Sequence, residues 1–162
     1  MIFMSQSGLI DSCRQADWDR WYVEHLRIMR TVPGMTSAQR FTTTVAGYPP
    51  SLAMYSIASE SVFHDPYYLS VRGMAEWKPL IDTRFYHRNL FDGLGHAPVV
   101  ANGHFLIVAD RTQPDPTLAS MTWLKAVALD MSTPYRGIAF IDVNRKSDFD
   151  GVSVGIYAPV AT

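Results

Sequence analysis

The stretch Trp18 to Arg40, WDRWYVEHLRIMRTVPGMTSAQR, restricts the fold more than any other part of the chain. Trp18, Trp21, Tyr22, His25, Leu26 and Met29 recur on one face of a 3.6-residue period, while Asp19, Arg20, Glu24, Arg27 and Arg30 occupy the opposite face. The pattern predicts an amphipathic helix whose aromatic stripe must pack on another element. Val32-Pro33-Gly34 stops that helix, and the Thr-rich, alternating segment from Met35 to Val45 predicts a strand. One histidine, His25, thus sits in the middle of an otherwise apolar stripe.

Around this unit the first half reads as strand, helix, strand, strand, helix, strand. Ile2 to Ser7 is a strand ended by Gly8, and Asp11, Ser12 and Asp17 offer capping side chains before the helix. Tyr48-Pro49-Pro50 marks a turn, after which Ser51 to Ala58 alternates between Leu52, Met54, Ser56 and Ala53, Tyr55, Ile57. Asp65-Pro66 reads as a helix start within a second helical region that Gly73 interrupts before Trp77. Thr83 to Leu94 is the expected fourth strand, and Gly93 to Gly103 a linker.

Beyond the linker the pattern restarts with a strand at His104 to Asp110, a helix at Thr117 to Met131, and strands at Tyr135 to Asn144 and Val152 to Tyr157. Trp123 to Pro134 can be laid on Trp21 to Pro33 with one residue deleted, which suggests a decayed duplication. Val127 then takes the place of His25, so the second half keeps the scaffold without the polar group. The expected units are residues 1–95, a ferredoxin-like repeat carrying the site, and residues 103–162, a truncated β-α-β-β repeat, either separate or joined in one compact domain. Such units build an antiparallel sheet with helices on one face. The bare face needs a second sheet, from a partner chain or from the second repeat, and either pairing yields an α+β barrel.

Composition removes several function classes. With 48% hydrophobic and 18% charged residues, the 162-residue chain can bury a sizeable core. A net charge of −1 leaves no basic stripe for nucleic acid. The single Cys13 allows no intrachain disulfide and fits a reducing, cytoplasmic setting, and no run approaches a membrane span. Metal-ligand spacings, phosphate loops and dinucleotide fingerprints are missing, so neither a metal nor a nucleotide cofactor is expected.

WYVEHLRIMRTVPGMTSAQRF resembles the W-Y-x-E-H-L-P, V-P-G-F and S-A-x-R-Y pattern of EthD-like dimeric α+β barrel proteins, and SLAMYSIASESVF resembles their tyrosine-bearing third strand. The likeness covers about residues 1 to 90, with Arg27 in place of the usual proline and Met35 in place of the aromatic. The resemblance implies a ferredoxin-like α+β barrel, often a homodimer. In the wider superfamily it implies cofactor-independent oxygenases, isomerases, lyases or haem-binding enzymes.

Candidate chemistry centres on His25, which with an ordinary pKa near 6.5 can exchange a proton at neutral pH. Trp21, Tyr22 and Met29 would shape an apolar pocket about it. The competing role for His25 is a structural bond to a backbone carbonyl. Arg40 and Tyr55 would steady a developing oxyanion, against the alternatives of an edge charge and a core tyrosine. Trp77 would form a lid and His87 would line the cavity from the fourth strand. Taken with the resemblance, these residues imply an isomerase or lyase without cofactor, moving a proton next to a carbonyl in an aromatic, polyketide-like or lactone catabolic intermediate. The alternatives are a haem-binding barrel with a histidine axial ligand, and a non-catalytic ligand-binding module.

Overall fold

The computed structural model describes residues 1–161. Eight antiparallel strands close into one barrel: β1 (Ile2–Ser7), β2 (Met35–Thr42), β3 (Ser51–Ile57), β4 (His87–Asp92), β5 (His104–Arg111), β6 (Thr122–Leu129), β7 (Tyr135–Asp142) and β8 (Gly155–Pro159). The order around the barrel is β1-β3-β2-β8-β5-β7-β6-β4. Residues 1–95 therefore contribute a sheet β4-β1-β3-β2, and the remainder contributes β8-β5-β7-β6, which is the same order repeated. Pairing of β2 with β8 and of β4 with β6 joins the two sheets, so the barrel closes inside a single chain.

Both α-helices among the described residues belong to the first half. α1 (Gln15–Met29) buries Trp18, Tyr22, Leu26 and Met29, the stripe expected from the sequence, with Trp21 and His25 half-buried along its edge. Each fully buried side chain of this size contributes about 2 kcal/mol of transfer free energy. The Pro33-Gly34 break reverses the chain through Gly34 at φ 83°, where an added Cβ would lie 2.8 Å from Val62 Cγ2. α2 (Pro66–Val71) starts where Asp65-Pro66 predicts: the Asp65 carboxylate accepts the backbone N–H of Tyr67 at 2.8 Å and of Tyr68 at 3.0 Å. The expected Thr83–Leu94 strand is shorter, because Thr83 to Phe85 form a turn.

Among the described residues the second half carries no α-helix. Thr117–Met131, expected as a helix, is instead a short 3-10 turn at Pro116–Leu118 followed by β6. Leu124 and Ala126 are buried while Lys125 and Val127 are exposed, an alternation of period two. The Trp and Met spacing that aligned this segment with α1 is overridden by pairing with β4 and β7 on its two edges. A 3-10 segment, Val143–Phe149, replaces the second crossover helix.

Alternation also separates the cores. Ile2, Met4, Leu52, Met54, Phe91, Leu106, Leu124 and Ile138 fill the barrel interior. Phe3, Ala53, Tyr55, Ile57 and Leu90 face outward under α1 and α2. One end of the interior holds Arg136, fully buried, whose guanidinium donates to the Asp110 carboxylate at 2.7 and 2.8 Å and to Gln6 Oε1 at 2.8 Å. Toward the other end, the 93–103 linker is pinned by Gln39, which both accepts from and donates to the Val100 backbone at 3.0 and 2.7 Å.

Candidate functional site

A cleft of about 590 Å³ opens between α1, the outward face of β1, β3 and β4, and the segment from Tyr68 to Tyr86. Its volume suits a small organic molecule. Three of the residues singled out in the sequence line it: His25 and Met29 from α1 and Tyr55 from β3. The imidazole of His25 stacks on Trp21 with ring centroids 4.6 Å apart and meets Tyr22 edge-on at 5.7 Å. Burial among these rings lowers its pKa from 6.5 to about 4, so it stands neutral at physiological pH. Burial holds the Tyr55 hydroxyl protonated, its pKa well above the usual value, and Tyr55 stacks on Phe3 at 5.1 Å. The cleft thus presents a neutral nitrogen acceptor and a phenolic donor on an apolar wall.

Arg40 does not reach it. The residue is 1% exposed, Nη1 lies 2.7 Å from Asp19 Oδ1, Nε donates to Ser51 Oγ at 2.9 Å, and the guanidinium covers the Tyr22 ring at 4.3 Å. These contacts tie α1 to β2 and β3. Tyr22 is likewise buried behind the cleft; desolvation raises its hydroxyl to about 12, against the opposing pull of Arg40. Trp21 stacks on His25 and does not line the cleft. Trp77 packs on Trp18 at 5.2 Å and is not a lid: it anchors the wall segment from which Met74, Ala75 and Lys78 face the cleft.

His87 is also turned away. It pairs with Gln6, whose side chain reaches the interior arginine, so strand alternation sends His87 to the barrel side and its neighbour Arg88 to the cleft. Arg88 is the most informative residue that the sequence reading missed. Its Nη2 donates to the Tyr68 hydroxyl at 2.9 Å, and the guanidinium lies over Phe3 at 5.8 Å. Arg72 and Lys78 line the cleft as well. The strict alternation of β1 and the burial of Leu90 fix the facing of Arg88 once the strand register is known. No local motif marks Arg72 or Lys78. At Gly73 (φ 94°) and Ala75 (φ 44°) the wall between them turns through left-handed conformations, an uncommon state for alanine.

The fold and cleft together define an α+β barrel with a small-molecule cavity between its helical layer and one sheet. The chain is similar in structure to the crystal structure of a candidate chlorite dismutase, with a TM-score of 0.60 over 99% of this chain and 94% of that one, at 10% sequence identity. No protein-family profile matches the sequence. No curated protein matches it either.

Proposed function

We propose that the protein is a small-molecule enzyme of the α+β barrel class that moves a proton at a carbon next to a carbonyl, without an organic cofactor. The observation carrying this reading is the shared cleft of neutral His25 and protonated Tyr55. The imidazole nitrogen accepts the proton from the carbon, and the C–H electron pair passes into the carbonyl to leave an enolate oxygen. The Tyr55 hydroxyl donates a hydrogen bond to that oxygen, and the imidazolium returns the proton at a different carbon of the conjugated system. A free-state pKa of about 4 keeps His25 deprotonated before binding, and an anionic substrate beside it strengthens it as a base. The EthD-like pattern of residues 21 to 41 supports the same class, with an aromatic, polyketide-like or lactone compound as substrate. His25→Ala should abolish turnover of a substrate found by screening such compounds while the barrel stays folded. Unchanged turnover would remove the proposal.

A second reading is haem binding. It draws on the structural similarity to a candidate chlorite dismutase. The lining chemistry fits: a neutral imidazole can ligate iron, Phe3, Met29, Met74 and Ile81 supply apolar surface, and the cations suit propionates. Haem would bring redox chemistry at its iron, and His25 would hold it. Titration with hemin distinguishes the two readings: a Soret band that His25→Ala abolishes favours haem, and an unchanged hemin spectrum favours the cofactor-free enzyme.

A further inference from the structure

Three cations face the cleft, Arg72, Lys78 and Arg88, and no aspartate or glutamate lines it among the described residues. None of the three has a carboxylate within ion-pair distance among the described residues. Most other arginines of the fold are paired with a carboxylate, the exposed Arg30 being a further exception among the described residues. Arg40 is matched by Asp19, Arg136 by Asp110 and Arg84 by Asp82. Arg88 is the most constrained of the set, being half-buried and held by the Tyr68 hydroxyl, with only part of its fork occupied. A half-buried guanidinium with free donors, beside two more positive charges and an aromatic wall, has the make-up of a carboxylate-recognition point.

We infer that the ligand of this cleft is a carboxylate with a planar unsaturated or aromatic body, its carboxylate bound by Arg88 with Arg72 and Lys78 at the mouth. Phe3 and Tyr55, already stacked on each other, supply the surface for the body. The inference rests on the cleft being the substrate site of the proposed enzyme and names the charge of what it takes. The same chemistry is presented by haem propionates, so the test separates the two sources.

The experiment is calorimetric titration of the full chain with 2-naphthoate, with its uncharged analogue 2-naphthamide, and with hemin. The wild type should bind 2-naphthoate at least about tenfold more tightly than 2-naphthamide, the difference expected for one charge-assisted hydrogen-bonded contact. Arg88→Gln should erase that preference, Arg88→Lys should restore part of it, and Lys78→Gln, on the exposed wall, should reduce it with no effect on folding. Thermal melts of each variant show that a loss of binding is not a loss of fold. Equal affinity for naphthoate and naphthamide, or no binding of either up to their solubility, overturns the inference. A naphthoate preference that depends on Arg88, alongside turnover indifferent to His25→Ala, upholds it and removes the enzymatic reading instead. Saturable hemin binding lost in Arg88→Gln, without any naphthoate preference, assigns the cations to propionates and overturns the small-acid ligand.

Discussion

His25 makes stability depend on pH between its folded and unfolded pKa values. The buried imidazole has a pKa of about 4, against 6.5 in the unfolded chain. At about 1.4 kcal/mol per tenfold in proton affinity, the difference corresponds to about 3 kcal/mol. The folded pKa lies below the unfolded one, so the unfolded state takes up the proton first as the solution is acidified. The contribution is complete above pH 6.5 and is lost progressively as the pH falls toward 4. Glu24, Asp82 and Asp115 have carboxyls held below their ordinary values, chiefly by hydrogen bonds from Arg27, Arg84 and Thr117, so they titrate at more acid pH. Urea denaturation of the wild type and of His25→Gln, at intervals from pH 7.5 to 4, isolates the histidine because the carboxylates are common to both. The wild type should lose about 3 kcal/mol more than the variant over that range. Parallel pH profiles for the two proteins would refute the burial of a neutral His25, and with it the free-state acceptor of the proposed reaction.

The pairing of Arg40 with Asp19 predicts a structural role for both. Asp19→Ala should cost about 2 kcal/mol by leaving a buried guanidinium without its carboxylate, whereas Asp17→Ala, on the exposed face of the same helix, should cost about 0.5 kcal/mol; urea melts compare them, and naphthoate affinity should stay the same in both. Gly137→Ala should destabilise by about 2 kcal/mol through overpacking, because the new Cβ would meet Met121 Sδ at 2.7 Å and the Trp123 ring at 3.0 Å; a melting temperature equal to that of the wild type would contradict this.

Legibility from sequence followed the range of the interactions. The α1 stripe, the Pro33-Gly34 break and the Asp65-Pro66 start are set by residues within one or two turns of each other, and all three appear in the structure. The antiparallel barrel was also readable, since the element order of the first half admits few sheets. The Thr117–Met131 segment was misread because Leu, Lys and Ala are good helix formers, and nothing local reveals that two strands flank it. At the cleft, His25, Met29 and Tyr55 could be chosen because a stripe and a strand alternation point them. Arg40 faces the helix side of its own strand, yet the Asp19 carboxylate and the Tyr22 ring occupy it, a match between side chains 21 and 18 positions away. His87 and Arg88 differ by one step of register, and one step decides which of them reaches the cleft.

The second half repeats the strand order of the first while lacking its helices, which raises the question of what it contributes to a site it does not line. Its outward face is closed by 3-10 segments over Ile107, Ala139 and Ile141, with Trp123 and Phe149 packed against them. Its contribution lies at the β4–β6 seam. There the Asp130 carboxylate accepts the Arg88 backbone N–H at 2.7 Å, and the Asp130 N–H donates to the Arg88 carbonyl at 2.9 Å. One residue further, the Asn89 amide donates to Ser132 Oγ and accepts from the Ser132 N–H, each at 2.8 Å. The turn after β6 therefore grips both peptide groups of the residue that carries the cleft's half-buried cation. Asn89→Ala leaves the Ser132 N–H without its partner and should cost about 2 kcal/mol. If the grip sets the direction of Arg88, the variant should also lose naphthoate affinity by about threefold or more while 2-naphthamide binding is unchanged. Equal losses for both probes would mean that the turn supports the barrel in general and has no part in aiming Arg88.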